Sequence, residues 1–254
     1  MTIQYASDLH LEFAENSKYL EENPIIPVAD ILILAGDIGY IGHESYQTHP
    51  FWDWASSNFK QVLVVPGNHE FYRGYDLSNL KEGTRQSIRK NIHWFYNAIV
   101  VIDDVEFILT ALWSKINSHA ELIIKSRVAD FRYIKYNGGR LTPAIFNKMH
   151  TGCVDFLKRT LEKPSKKKRI VVTHHLPTSQ CMNDEFKGSI LNGAFVAELD
   201  DLILNSGADY WIYGHSHRNV NEVTIGATKL ICNQLGYVSR RENSSFLDSM
   251  QIIL

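Results

Sequence analysis

Histidines and acidic residues gather in short motifs of this 254-residue sequence. The five motifs are Asp8-x-His10, Gly36-Asp37, Gly67-Asn68-His69-Glu70, Thr173-His174-His175 and Gly214-His215-Ser216-His217. Imidazole, carboxylate and amide oxygen together suit divalent ions such as Mn, Fe, Zn or Co, and histidine also transfers protons near neutral pH. With 11 histidines and only 3 cysteines, the sequence predicts a metal centre built without thiolates.

Each motif taken alone has an ordinary explanation. Asp8-x-His10 is compatible with a polar loop, and Gly36-Asp37 with a turn in which the aspartate accepts hydrogen bonds from nearby amides. Adjacent histidines such as His174 and His175 are often plain surface or core residues. The occurrence of all five motifs together outweighs these explanations and favours one shared site.

The spacing within two of the motifs has a physical reason. Residues two apart in an extended chain point to the same side, so Asp8 and His10 are expected to face one ion. His215 and His217 have the same spacing. The glycines in three of the motifs allow sharp turns and leave space beside a bound group.

The motifs coincide with the ends of predicted strands. Continuous apolar runs that end in glycine or proline predict buried strands over 30–36 and 61–66. Further strands are predicted over 3–7, 98–102, 105–109, 170–173, 210–213, 220–225, 229–232 and 250–254. Helices are predicted over 48–58, 77–92, 117–128, 142–161 and 194–205. Each motif starts where a strand ends, which is where open α/β sheets place their sites.

The amino-acid composition excludes several classes of protein. A hydrophobic fraction of 44% and a charged fraction of 21% exclude collagen-like, disordered and membrane-spanning classes. The net charge of -2 makes a nucleic-acid or membrane-surface partner unlikely on electrostatic grounds. Cys153, Cys181 and Cys232 form no C-x-x-C pair and are expected to be free thiols, and we expect a reducing, cytoplasmic location. The sequence leaves the oligomeric state open.

The ordered motifs resemble those of the calcineurin-like metallophosphoesterase superfamily. The words SDLHLEF, PGNHEFY, ALWS and THHLP, with Asn233 and Gly236-Tyr237 near the end, are similar to a bacterial branch whose substrates are poorly defined. The resemblance implies one domain over residues 1–254. It also implies a four-layer α/β/β/α sandwich, in which two mixed sheets pack face to face, helices lie outside, and metals bind at the sheet edge.

The resemblance also implies a role for individual residues. Asp8, His10, Asp37 and His217 would hold one ion, and Asp37, Asn68, His174 and His215 the second. Asp37 is then the bridging carboxylate. Two divalent ions follow, with Mn favoured over Fe, Zn or Co. His174 matches the family ligand better than His175, which is left as a supporting or substrate-contacting residue.

His69 resembles the family's general acid or phosphate-contacting histidine. Many members carry an acid shortly after the G-D motif that orients this histidine, but Gly36-Asp37-Ile38-Gly39-Tyr40 contains none. Glu70, His43 or a backbone carbonyl are the candidate partners, and the sequence does not choose between them. Arg132 and Tyr133, in the irregular stretch 112–140, are candidates to contact a phosphate and a base, with plain packing as an equal alternative.

The predicted function is a dinuclear metal-dependent phosphoesterase. Hydroxide activated by the metals would attack phosphorus while His69 assists the leaving group. A small phosphodiester is favoured as substrate over a monoester. The alternatives are a non-catalytic scaffold of the same fold, like the retromer scaffold subunit, and a nuclease. The complete ligand set argues against the scaffold, and the charge balance against the nuclease.

Overall fold

Two six-stranded mixed sheets form the centre of the protein, and the computed structural model describes all residues 1–254. The strands are β1 (Thr2–Ala6), β2 (Ile31–Ala35), β3 (Gln61–Val65), β4 (Thr84–Arg89), β5 (Ile92–Tyr96), β6 (Ala98–Ile102), β7 (Val105–Leu109), β8 (Lys135–Tyr136), β9 (Gly139–Arg140), β10 (Lys168–Val172), β11 (Tyr210–Tyr213), β12 (Val223–Ile225), β13 (Thr228–Cys232) and β14 (Gln251–Ile253). The helices are α1 (Ala14–Glu22), α2 (Glu44–Thr48), α3 (Pro50–Asn58), α4 (Glu121–Arg127), α5 (Asp130–Tyr133), α6 (Pro143–Leu161) and α7 (Asp200–Leu204).

The two sheets have the same plan. The first has the strand order β14-β1-β2-β3-β5-β4, and the second has the order β12-β13-β11-β10-β7-β6. In each sheet the four central strands are parallel and both edge strands are antiparallel. The carboxyl ends of the parallel strands therefore form one edge in each sheet. At this edge the sheets are joined by a bridge between Ser7 and Gln234.

The alternation of side chains along the strands builds the layers. In β2, Ile31, Ile33 and Ala35 belong to a cluster of 16 buried residues that includes Ile170 and Val172 of the other sheet. The residues between them in β2 point the other way, into the cluster that contains side chains of α1 and α3. A strand buried on both faces needs a continuous apolar sequence, which explains the run ILILA. The expected two mixed sheets flanked by helices are confirmed.

The longest helix begins as the sequence predicts. Thr142 caps α6, because its hydroxyl accepts a hydrogen bond from the amide of Ile145, and Pro143 follows as the first helical residue. The predicted helix over 48–58 is in fact α3, preceded by the separate helix α2 and broken from it at His49. None of the helices is both long and apolar enough to cross a membrane.

Two predicted helices are wrong. Residues 77–92 form a short 3-10 turn and strand β4, because β4 completes its backbone hydrogen bonds by pairing with β5. That pairing also makes β5 a strand that the sequence analysis did not find. Within 194–205 only α7 is helical, since Val196 pairs with Leu176 and Glu198 has a positive φ of 52°. Long-range pairing outweighs local helix propensity in both places.

Candidate metal centre

Loops that follow the central parallel strands bring the predicted residues to one place. Asp8 and His10 follow β1, Asp37 follows β2, Asn68 and His69 follow β3, His174 follows β10, and His215 and His217 follow β11. Asp8, His10, Asp37 and His217 form one group whose ligand atoms lie within 4.8 Å of one another. Asp37, His174 and His215 form a second such group. Asp37 is common to both groups.

The donor atoms of the second group face one another closely. His174 Nε2 lies 3.3 Å from Asp37 Oδ1, 3.1 Å from Asn68 Oδ1 and 3.1 Å from His215 Nδ1. In the first group, the Nε2 atoms of His10 and His217 are 3.0 Å apart. Lone pairs that converge in this way need a cation or a shared proton between them.

The backbone at the site is unusual. Asp8, His10, Asp37, His215 and His217 all have positive φ, between 49° and 79°. Non-glycine residues adopt this left-handed conformation rarely, and such strain persists where the surroundings impose it. The expectation that these residues converge through extended backbone is therefore wrong. They converge because the chain turns at each of them.

Close packing explains the glycines that precede the ligands. Gly36 has φ of +91°, and a Cβ there would lie 2.4 Å from His174 Nδ1. A Cβ at Gly67 would lie 2.2 Å from Asp37 Oδ1. Any side chain at either position would displace a proposed ligand, so the site depends on glycine there.

The four histidines are held in two different ways. His10 and His217 direct Nε2 inward and are held through Nδ1 by the carboxylates of Glu12 and Glu242, at 3.1 and 2.8 Å. We call them the carboxylate-backed pair.

His174 and His215 are held by backbone carbonyls instead. His174 Nδ1 lies 2.9 Å from the Ala35 carbonyl and His215 Nε2 3.2 Å from the Ala194 carbonyl. We call them the carbonyl-backed pair. In both pairs the second nitrogen is occupied outside the site, which fixes the ring and leaves the inner nitrogen as an acceptor.

Asn68 is oriented by groups that the sequence analysis missed. Its Nδ2 donates to Asp130 Oδ1 at 2.9 Å and to the Tyr72 hydroxyl at 3.0 Å, so its oxygen faces His174. The Tyr72 hydroxyl also donates to Asp130 at 2.6 Å. No local motif marks Asp130, because it lies in α5, far from the other motifs along the chain.

Glu70 lies beneath the site. Its carboxylate accepts hydrogen bonds from the amides of Asp37, Ile38 and Gly67 at 2.9, 2.7 and 2.6 Å. It therefore ties the loop after β2 to the loop after β3. It does not contact the His69 ring, and His43 is exposed and bonds to Ser45, so neither of these candidates is the partner of His69.

The partner of His69 is Glu12. Glu12 Oε1 lies 2.7 Å from His69 Nδ1, so the third candidate, a backbone carbonyl, is wrong as well. Glu12 follows Asp8 and His10 at the same spacing, but the spacing alone does not predict this contact, because the backbone at Asp8 and His10 is not extended. The other nitrogen of His69, Nε2, lies 3.2 Å from the hydroxyl of Tyr237.

Buried carboxylates give the site its electrostatic character. Asp8, Asp37 and Glu12 are buried or nearly so, neighbouring imidazoles outweigh burial and lower their pKa values, and none pairs with a lysine or arginine. Burial opposes the charge on Asp37, but His174 and His69 hold the pKa of its carboxyl well below its ordinary value. Buried negative charge requires compensation, and divalent cations would supply it. The donor set therefore fits the two ions that the sequence predicts.

Two adjoining cavities open over the metal centre. One, of about 300 Å³, is lined by Asp37, Asn68 and His217 together with Arg127, Arg218 and Arg240. The other, of about 500 Å³, extends from His69 past Tyr40, Tyr133 and Arg73. His69, Tyr72 and Tyr237 line both cavities.

The remaining candidate residues lie in different places. Arg132 is exposed and lines neither cavity, whereas Tyr133 and Arg127 from the same stretch do line them. His175 is buried behind the ligands, its ring is tilted against that of His215 with centroids 4.1 Å apart, and its Nδ1 contacts the Ser114 hydroxyl. His174, and not His175, therefore faces Asp37.

Comparisons with known proteins identify the family of this chain. The chain is 30% identical to an uncharacterized protein of Acanthamoeba polyphaga mimivirus, over 99% of this chain and 98% of the relative. It is similar in fold to phosphopantetheinyl hydrolase from Mycobacterium tuberculosis, with a TM-score of 0.71, 18% identity, and coverage of 99% of this chain and 95% of that one. The profile of the calcineurin-like phosphoesterase family matches residues 1–219. The chain therefore belongs to the calcineurin-like phosphoesterase family.

Proposed function

We propose that this chain is a dinuclear metal-dependent phosphoesterase. Asp8, His10, Asp37 and His217 hold one ion, and Asp37, Asn68, His174 and His215 hold the other. The observation that carries the proposal is the convergence of these seven side chains on two adjacent points that share Asp37. Mn²⁺ is the favoured ion, because oxygen and imidazole ligands without thiolate suit it.

The bound ions would act as Lewis acids toward the phosphoryl oxygens and lower the pKa of a bound water. The protein's own residues attract the substrate and protonate the leaving group. Arg127, Arg218 and Arg240 attract the anionic substrate to the cavity over the site. His69 donates a proton from Nε2 to the leaving oxygen, and the Tyr237 hydroxyl, 3.2 Å away, orients that nitrogen.

A small phosphodiester is the favoured substrate. A diester carries a group on each side of phosphorus, and His69 lines two cavities, of about 300 and 500 Å³. A monoester would need only one of them. The three cysteines are free and buried, which supports a reducing location such as the cytoplasm.

Turnover by the purified protein tests this function. With Mn²⁺ it should hydrolyse bis(4-nitrophenyl) phosphate faster than 4-nitrophenyl phosphate. Asp37→Asn should lower turnover about 1,000-fold, because Lewis-acid stabilisation supplies several kcal/mol and each 1.4 kcal/mol is tenfold. Asp30→Asn is the matched control, since Asp30 forms an exposed ion pair with Lys60 at 2.8 Å. Unchanged turnover in Asp37→Asn, or a metal-loaded protein that cleaves no phosphoester, would contradict the proposal.

A further inference from the structure

One buried carboxylate contacts two histidines at once. Glu12 Oε1 lies 2.7 Å from His69 Nδ1 and 3.1 Å from His10 Nδ1. The Glu12 side chain is only 3% exposed, and its charge-bearing partners are these two imidazoles. His10 belongs to the proposed ligand set, whereas His69 does not. Glu12 therefore links the metal centre to the histidine beside it.

The position of the His69 ring depends on this contact. The ring stacks on Tyr72 at a centroid distance of 4.2 Å, and stacking leaves rotation within the plane of the ring free. The Nδ1 bond to Glu12 fixes that rotation and places the proton of Nδ1 on the side away from the site. Nε2 is then directed toward Tyr237 and the cavities.

We propose that Glu12 is the positioning residue for His69 and that it couples His69 to His10 through a single oxygen atom. This inference rests on the proposed function, in which His69 protonates the leaving group. The carboxylate holds Nε2 toward the leaving oxygen and stabilises positive charge on the ring that donates the proton. The same oxygen holds His10 with Nε2 directed at the ion.

The loop after β2 leaves room for this arrangement. Gly39 has no side chain, and a Cβ there would lie 3.2 Å from the Tyr46 ring and 3.7 Å from Glu12 Oε2. Glu12 therefore lies directly beside the loop that follows the G-D motif. The orienting carboxylate is present in this chain, but it comes from the loop after β1.

The chain offers a matched control in Glu242. Its Oε2 lies 2.8 Å from His217 Nδ1, so it supports an ion-binding histidine as Glu12 supports His10. Its side chain is 12% exposed, and its histidine contact is with His217 alone. Glu242 Oε2 also accepts from the Tyr237 amide at 2.8 Å, and a glutamine keeps an oxygen for that bond. Glu242→Gln therefore perturbs a histidine of the carboxylate-backed pair without direct contact with His69, whereas Glu12→Gln perturbs both His10 and His69.

The test uses two diesters that differ in the leaving group: methyl 4-nitrophenyl phosphate and methyl phenyl phosphate, each at saturating Mn²⁺. Loss of acid assistance slows the poorer leaving group most. Glu12→Gln and His69→Ala should lower kcat for methyl phenyl phosphate about 100-fold or more. Both should lower kcat for the nitrophenyl ester less than about tenfold. Glu242→Gln should slow both esters by the same factor.

Calorimetric titration of the ion-free protein with Mn²⁺ provides a readout independent of turnover. Glu12→Gln and Glu242→Gln should each weaken Mn²⁺ binding about tenfold, and His69→Ala should leave it unchanged. Glu12→Asp keeps the charge at a shorter reach and should fall between wild type and Glu12→Gln in leaving-group dependence. If circular dichroism shows that Glu12→Gln is unfolded, Glu12→Asp is the variant that tests the inference.

Equal slowing of the two esters by Glu12→Gln, alongside a normal leaving-group effect of His69→Ala, would overturn the inference. So would a leaving-group defect in Glu242→Gln as large as that in Glu12→Gln. A wild-type protein that cleaves neither ester would instead overturn the proposed function, so the two failures are distinguishable.

Discussion

The two histidine pairs of the site do the same task with different support. The carboxylate-backed pair, His10 and His217, is held by side chains. The carbonyl-backed pair, His174 and His215, is held by the main chain at the end of β2 and by the loop before α7. Either acceptor orients the ring and makes it a more basic ligand, but only a carboxylate also adds negative charge behind it. The two proposed ions therefore sit in different electrostatic surroundings.

The pKa values do not divide along the two pairs, since burial disfavours the charged form of every ring. In the carboxylate-backed pair, Asp8 and Glu242 outweigh burial at His217 and raise its pKa to about 9, whereas burial lowers the pKa of His10. In the carbonyl-backed pair, Asp37 outweighs burial at His174 and raises its pKa to about 10, whereas burial and the neighbouring His174 lower the pKa of His215 to about 3. The carboxylates and imidazoles around each ring therefore decide the charge that it can carry.

The largest effects are expected when one histidine is removed from each pair, and the two variants should differ in the free energy of unfolding. His215→Ala and His217→Ala should each lower turnover about 1,000-fold, because each removes a ligand of one ion. His215 also packs between His175 and Phe195, at centroid distances of 4.1 and 4.7 Å, so its truncation should cost about 3 kcal/mol of unfolding free energy. Urea unfolding in EDTA measures this. A larger loss in His217→Ala would reverse the comparison.

Glycine substitutions probe the space beside each pair. Gly36→Ala should abolish binding of one Mn²⁺, since the new Cβ would lie 2.4 Å from His174 Nδ1. Gly236→Ala should weaken binding less, because its Cβ meets the His217 Cβ at 3.0 Å. Both positions have positive φ, so Gly83→Ala, with φ of +79° and open space around it, is the control for strain alone. Metal content after dialysis is the measurement, and two ions retained by Gly36→Ala would contradict the prediction.

A smaller effect is expected from the carboxylate that supports Asn68. Asp130→Asn should weaken Mn²⁺ binding about tenfold, because it replaces the carboxyl acceptor that turns the Asn68 oxygen toward His174 with a weaker amide acceptor. Tyr72→Phe removes the hydroxyl but leaves Asp130 in place, so its effect should be smaller. Calorimetry compares the two variants. Equal affinities in wild type and Asp130→Asn would show that Asn68 needs no such support.

The smallest effect is expected at His43. His43→Ala should leave turnover unchanged, because its ring contacts Ser45 at the exposed start of α2 and lies outside the site. Loss of the cap should cost about 1 kcal/mol of unfolding free energy at most. Steady-state kinetics measures the turnover of the variant, and thermal unfolding measures its stability. A large loss of turnover would mean that His43 reaches the site in solution.

The amino-acid sequence was enough to predict which residues form the site, which strands are buried, and where the longest helix begins. Five motifs at strand ends predicted which side chains gather, because parallel strands bring their carboxyl ends to the same edge. Continuous apolar runs such as ILILA predicted strands buried on both faces. The capping pair Thr142-Pro143 predicted the start of α6, since both residues act on their own local backbone.

The hydrogen-bond partners of the site residues, and one strand, depend on contacts between segments that are distant in the chain. The helix expected over 77–92 is replaced by a 3-10 turn and strand β4, because pairing with β5 supplies the hydrogen bonds of β4. Asp130 and Glu242 reach the site from distant segments, and no local pattern marks such contacts. Glu12 lies two residues from His10, yet its bond to His69 forms across 57 residues of chain. The motifs identify the ligand residues, because each motif is local in the chain. The hydrogen-bond partners of each ring depend on where the two sheets bring their loops together.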